Sequence, residues 1–179
     1  MDCHVASLLA MTEVEMNTRK TARALLFDAD GRLLLVKMHD PSVAAENGAV
    51  EALAYWVTIG GEIDEGESLE EAVRREIAEE TGFTNVRLGP AVWYAEHVLV
   101  VRGTKRLFQE TFVLAYTDET KWSTKGWTKD ESDVIEHLQW WETDALMTSG
   151  EKFFPTSLKD NLEPLLRNNV PDKILTIEP

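Results

Sequence analysis

Between Gly61 and Phe83 the chain reads GEIDEGESLEEAVRREIAEETGF, with eight glutamates in 23 residues. Few features constrain a fold as tightly. Ser68 and Glu71 have the S-x-x-E spacing of a capping box, and Gly82 stands where a helix stops, so a helix is predicted over Ser68–Glu80. Leu69, Val73 and Ile77 recur every four residues and form its core-facing stripe. Glu76, Glu79 and Glu80 lie three and four apart and share an adjoining face. The ordinary reading of such a helix is a solvated acidic face. Here the like charges repel and crowd the C-terminal end, where the helix dipole disfavours anions. A local rule broken in this way is expected at a functional site. Hard divalent cations, Mg²⁺ or Mn²⁺, would reverse the sign of that energy through carboxylate oxygens.

Around this helix the sequence is rich in strands. TARALLFD (Thr21–Asp28) and RLLLVKMH (Arg32–His39) flank the turn DADG and predict a hairpin. Residues 40–52 read as a loop, and LAYWVTI as a short strand entering Gly60 and Gly61. AVWYAEHVLVV and RLFQETFVLAY, joined by RGTK, predict a second hairpin. Residues 117–133 are polar and loop-like. HLQWWE predicts a last strand, Asp144–Thr148 a helical turn and Leu158–Arg167 a closing helix. The mixture predicts a mixed sheet between helices, in one domain over residues 18–168. Residues 1–17 are an N-terminal segment and 169–179 a C-terminal tail.

The spacing of the acidic stretch is specific. Gly61 is followed by five residues and Glu67, then seven and Arg75-Glu76-Ile77, one and Glu79-Glu80, one and Gly82-Phe83. This resembles the signature box of the Nudix hydrolases, with every fixed position filled; a weaker likeness extends over residues 18–166. The resemblance implies an α/β/α sandwich with the box folded as loop–helix–loop. It also implies hydrolysis of the pyrophosphate bond of a nucleoside diphosphate linked to another group, X. By the same resemblance Glu76, Glu79 and Glu80 would bind Mg²⁺ or Mn²⁺ with the Gly61 carbonyl. Glu67 would support the site, directly or by pairing with Arg75, which would orient the carboxylates. Where many members have proline before the paired glycines this chain has Ile59, a difference in loop stiffness.

The general base is not fixed by the box. Glu110 is the first candidate, against the reading of a solvent-facing strand residue, and Glu131 and Glu136 follow. Arg23, inside an apolar strand, would either reach a substrate phosphate or pair with an acid. Trp93, Tyr94, Trp140 and Trp141 are read mainly as core, and the four histidines as structural or exposed.

Charge bounds the partners. Eighteen basic residues against 32 acidic ones give −14, which argues against binding a nucleic-acid polymer and leaves a small nucleotide held through metal. No apolar run reaches the roughly 18 residues of a membrane span. Asp2 replaces the basic start of a secretory signal, and a lone Cys3 makes no internal disulfide, so the cytoplasm is expected. A homodimer is compatible with the sequence. Two other readings remain open: a Nudix module that binds nucleotides without catalysis, and an enzyme like isopentenyl diphosphate isomerase, for which Cys3 is badly placed.

Overall fold

A computed structural model describes residues 17–45 and 54–179. Cys3, the rest of the N-terminal segment through residue 16, and residues 46–52 of the expected loop lie outside the described residues. The strands are β1 (Asn17–Phe27), β2 (Leu33–Met38), β3 (Val43–Ala45), β4 (Tyr55–Glu62), β5 (Val86–Val101), β6 (Thr104–Thr117), β7 (Ile135–Trp141), β8 (Phe153–Phe154) and β9 (Leu175–Thr176). The helices are α1 (Leu69–Thr81), α2 (Lys129–Val134), α3 (Thr143–Thr148) and α4 (Leu158–Leu166).

All nine strands join one mixed sheet, in the order β3-β5-β6-β1-β2-β4-β8, with β7 beside β2 and β9 beside β5. β1 lies near the middle and pairs in parallel with β6 from Asn17↔Arg106 to Phe27↔Tyr116. Its alternation divides the interior, since successive strand residues point to opposite faces. Ala22, Ala24 and Leu26 join Ala72, Val73 and Ile77 of α1 on one face. Leu25 and Phe27 join Leu146 of α3 and Leu158, Leu162 and Leu165 of α4 on the other. This is the expected α/β/α sandwich. Trp93 and Trp141 belong to the second core, while Trp140 stacks on Phe83 at 6.3 Å.

Several expectations need revision. The first hairpin exists only at its turn, where Phe27 pairs with Leu33. Beyond it β2 turns to β4 and β7, and β1 takes β4 and β6 as neighbours. The second hairpin is as expected, closed by Arg102 and Gly103, both at positive φ, as a tight two-residue turn requires. The expected loop 117–133 contains a 3₁₀ turn (Thr124–Gly126) and all of α2 but its last residue. The segment after α4 pairs Leu175 and Thr176 with Trp93 and Tyr94, and buries Ile177 in the core.

Candidate active site

The site starts where β4 ends. There β4 runs antiparallel to β1, with Gly60 opposite Arg23 and Gly61 opposite Ala22. Gly60 has φ 144°, and a Cβ on it would lie 2.0 Å from the Ala22 carbonyl oxygen. Only glycine allows the two backbones this close. A Cβ on Gly61 would stand 2.4 Å from Glu76 Oε1, so the Glu76 carboxylate rests against the Gly61 backbone.

Helix α1 is fixed at both ends. Ser68 Oγ accepts the Glu71 N–H and the Glu71 carboxylate accepts the Ser68 N–H, completing the predicted box. Gly82, at φ 78°, closes the helix by donating its N–H to the Ala78 carbonyl. With Val73 and Ile77 buried against the sheet, the acidic face is carried to the edge of β4. Glu76 and Glu80 are buried there, each 7% exposed, whereas the Glu79 side chain is 47% exposed.

The buried carboxylates lack full compensation. Glu80 Oε1 accepts the Gly60 N–H at 3.1 Å. Burial pushes the Glu80 carboxyl up to about 8; the Glu76 charge adds to this, and the Gly60 N–H and Arg23 oppose it. Burial also raises Glu76, opposed mainly by its hydrogen bond from Arg75. A cation bound between helix and loop would relieve both.

Arg75 organises the outer part. It grips Glu67 with a fork, Nε to Oε1 at 2.8 Å and Nη2 to Oε2 at 2.9 Å. Nη1 donates to Glu76 Oε1 at 2.6 Å and to Glu79 Oε2 at 3.2 Å, and Nη2 also reaches the Glu62 carbonyl at 2.8 Å. The fork from Arg75 holds the Glu67 carboxyl down at about 2. Arg75 thus gathers Glu67, Glu76 and Glu79, while Glu80 stands apart on Gly60. Among the described residues no three acidic side chains already converge as a metal cage, because the guanidinium stands between Glu76 and Glu79. The donor set itself, carboxylates with a neighbouring backbone carbonyl, is all oxygen and suits a hard divalent ion.

Arg23 and Glu110 lie behind the loop. Arg23 Nε donates to Glu110 Oε1 at 2.7 Å, and Nη1 donates to the carbonyls of Gly60 at 3.1 Å and Thr58 at 3.3 Å. Arg23 is therefore paired with an acid, one of its two expected readings. Glu110 is 1% exposed, which overturns the solvent-facing reading: it shares its strand face with the buried Phe108 and Phe112. Its Oε2 and the Nδ1 of His97, 3.8 Å apart, are both buried without a hydrogen-bond partner. A continuous line runs from Glu110 through Arg23 and the Gly60 peptide to Glu80. Of the other candidate bases, Glu131 accepts the N–H and hydroxyl of Thr128 as a helix cap, and Glu136 is exposed on β7.

One part of the surroundings has no counterpart in the sequence reading. The Ser123 N–H donates to the Thr81 carbonyl at 2.7 Å, and Trp127 Nε1 to the Glu80 carbonyl at 2.8 Å. A Cβ on Gly126 would lie 2.3 Å from the Glu79 carbonyl oxygen. The segment thus satisfies carbonyls that the end of a helix leaves open. The Thr128–Glu131 capping box was its legible signal.

Comparison with known proteins bears on the family and the fold. The family model described as NUDIX domain matches residues 17–162. An RNA pyrophosphohydrolase of Caulobacter vibrioides is 41% identical over 80 residues, a stretch covering 44% of this chain and 41% of that protein, well under half of its length. A MutT protein structure from Methanosarcina mazei Go1 superposes with TM-score 0.60 at 21% identity, over 87% of this chain and 98% of that one. A MutT NUDIX hydrolase from Burkholderia pseudomallei gives 0.54 at 25% identity, over 80% and 95%. The matched residues contain the whole box and most of the sheet, and the chain belongs to the NUDIX domain family.

Proposed function

We propose that this chain is a Mg²⁺- or Mn²⁺-dependent hydrolase that cleaves the pyrophosphate bond of a nucleoside diphosphate linked to a group X. The products would be a nucleoside monophosphate and a second phosphorylated compound. One observation carries this reading: Glu76 and Glu80 are buried together against Gly60 and Gly61, at a cost that a bound cation would remove. The complete box counts against a module that only binds, and the isomerase alternative rests on Cys3, outside the described residues.

Bound metal would neutralise phosphate oxygens and lower the pKa of an attacking water. Glu76, Glu79, Glu80 and the Gly61 carbonyl would hold it. Arg75 would keep its fork on Glu67 while yielding Glu76 and Glu79, so that the carboxylates stay oriented. Arg23 holds the Gly60 carbonyl, and Glu110 holds Arg23. That engagement favours a positioning role for Glu110 over the general base, with only Oε2 left uncommitted.

The substrate is open between a nucleoside triphosphate, ADP-ribose, a dinucleoside polyphosphate, a nucleotide sugar and an RNA 5′ end. The activity named for the Caulobacter vibrioides relative favours the last. A cytoplasmic location belongs to the same reading; no helix among the described residues is long and apolar enough to cross a membrane.

The test is hydrolysis of this panel with Mg²⁺ and with EDTA. Activity should vanish in EDTA, and Glu79→Gln and Glu80→Gln should each lower kcat by about 10²-fold or more. Undiminished turnover in EDTA, or both variants within about threefold of the parent, would refute the metal mechanism.

A further inference from the structure

Residues 121–129 read KWSTKGWTK: three lysines and two tryptophans, without an acid, in a chain of net charge −14. The segment is held against the turn of α1 that bears Glu79 and Glu80, through Ser123, Gly126 and Trp127 as described above. Lys121, Lys125 and Lys129 are all exposed, and Trp122 is among the exposed large hydrophobic side chains at 37%. Among the described residues none of the three lysines has a carboxylate within ion-pairing distance. Three of the flanking acids are engaged elsewhere. Glu119 Oε1 accepts the N–H groups of Thr84 and Asn85 at 3.0 and 2.8 Å, Asp130 pairs with Arg102 at 3.0 Å, and Glu131 caps α2.

We propose that this segment is a binding surface for single-stranded RNA, and that it holds the nucleotides that follow the hydrolysed 5′ end. The inference rests on the hydrolase reading for the substrate's 5′ end, but its surface is separate from the carboxylates. Unpaired cations beside an exposed indole are the two elements of sequence-tolerant single-strand binding: one neutralises backbone phosphate and the other stacks a base. The acidic total does not oppose this. Salt confines electrostatic attraction to about 8–10 Å at physiological strength, so a phosphate seated among these lysines is opposed by the flanking acids and by Glu79, and not by the whole excess of 14. The expectation of no polymer partner came from the sum; a short strand that touches only the three lysines and Trp122 would be an exception to it. A mononucleotide, which ends at its own phosphates and base, would make little use of such a surface.

Two measurements test it. The first is kcat/KM for a 5′-triphosphorylated RNA hexanucleotide divided by that for the matching nucleoside triphosphate, in the parent, Trp122→Ala and the triple variant Lys121→Gln, Lys125→Gln, Lys129→Gln. The ratio should fall about tenfold for Trp122→Ala, the range of one lost base stack. The second needs no turnover: anisotropy of a 3′-fluorescein, 5′-hydroxyl RNA hexanucleotide in EDTA, from about 20 to about 200 mM salt. The triple variant should flatten log Kd against log salt by about 2, from three lost phosphate contacts on a single strand. All of these side chains are exposed, so the variants should fold as the parent does. Ratios within about twofold of the parent, or an unchanged salt slope, would overturn the proposal. Failure of the parent to hydrolyse any nucleotide would overturn the hydrolase reading instead, and the anisotropy arm would still decide this one.

Discussion

Replacing Glu80 by glutamine tests whether the buried carboxylate is a metal ligand waiting for its ion. Glu80 is 7% exposed and its Oε1 accepts one N–H, from Gly60, which a glutamine oxygen can also accept. Burial raises its carboxyl from the ordinary 4.5 to about 8. A carboxyl raised on folding gives stability that is fully present below its unfolded value and is lost as pH rises through the folded one. In EDTA the parent should therefore weaken between about pH 4.5 and pH 8. At about 1.4 kcal/mol per pH unit the ceiling is about 5 kcal/mol. Water drawn to the ionising group recovers part of that, so 2–3 kcal/mol, roughly half, is expected. For a domain of this size that is about 5–10 °C in Tm. Glu80→Gln should escape this loss and melt above the parent at pH 9 in EDTA. Mg²⁺ at about 100 times its Kd should return about 2.7 kcal/mol to the parent by mass action and much less to the variant. Matched NaCl should do neither, since it only screens. Thermal melts in EDTA, MgCl₂ and NaCl at pH 5, 7 and 9 decide it; parallel pH curves for the two proteins, or equal shifts from the two salts, refute the reasoning.

The two glycines should fail differently. Gly60→Ala drives a Cβ into the Ala22 backbone and should cost about 3 kcal/mol or more, roughly 6–12 °C in Tm. Gly61→Ala meets only the end of the Glu76 side chain, so it should melt near the parent in EDTA but lose most of the shift given by Mg²⁺. Arg75→Lys keeps the charge without the fork on Glu67, and kcat should fall about tenfold or more; a parental rate would remove Arg75 from the site. Glu110→Gln should lower kcat and Mg²⁺ affinity together, because Arg23 and Gly60 stand between Glu110 and Glu80; a lower kcat with parental Mg²⁺ affinity would restore the general-base role.

Helix α1 and its acidic face were legible because their signals are local: a cap at Ser68, a stop at Gly82 and a period of four between them. The same locality explains what was missed. That Gly60 must be glycine follows from β1 lying against β4, a pairing set by long-range topology. The hairpin read from DADG fails past Leu33 for the same reason, because turn residues specify the reversal but not how far the strands stay together. Glu110 was nearer to hand. In RLFQETF, Phe108 and Phe112 lie two residues to either side of it, which puts all three on one strand face. Both phenylalanines are buried, and Glu110 is buried between them. Composition marked glutamate as a surface residue, and the period of two would have placed it inside. The anchoring of residues 123–127 on α1 runs to main-chain carbonyls, so the sequence marks only the capping box beside it and not the contact itself.

On the proposed hydrolase reading, the charge of the site accounts for how so acidic a protein could take an anionic substrate. Five carboxylates (Glu67, Glu76, Glu79, Glu80 and Glu110) face two guanidiniums, Arg75 and Arg23, and both arginines are committed to them. If all five ionise, three negative charges are left over, and a diphosphate is repelled. Part of that excess is avoided in the metal-free protein by keeping Glu80 protonated near neutral pH, as its raised carboxyl implies. A divalent ion held by Glu76, Glu79 and Glu80 would replace this proton with positive charge, and Arg75 would keep its fork on Glu67 without leaving Glu76 and Glu79 unpaired. Metal binding and substrate binding are then coupled by charge, so the apparent affinity for a nucleotide should rise with Mg²⁺ until the site is filled. On the proposed reading the acidic interior would act as a gate on ionic form, excluding the free diphosphate and admitting the metal-neutralised one.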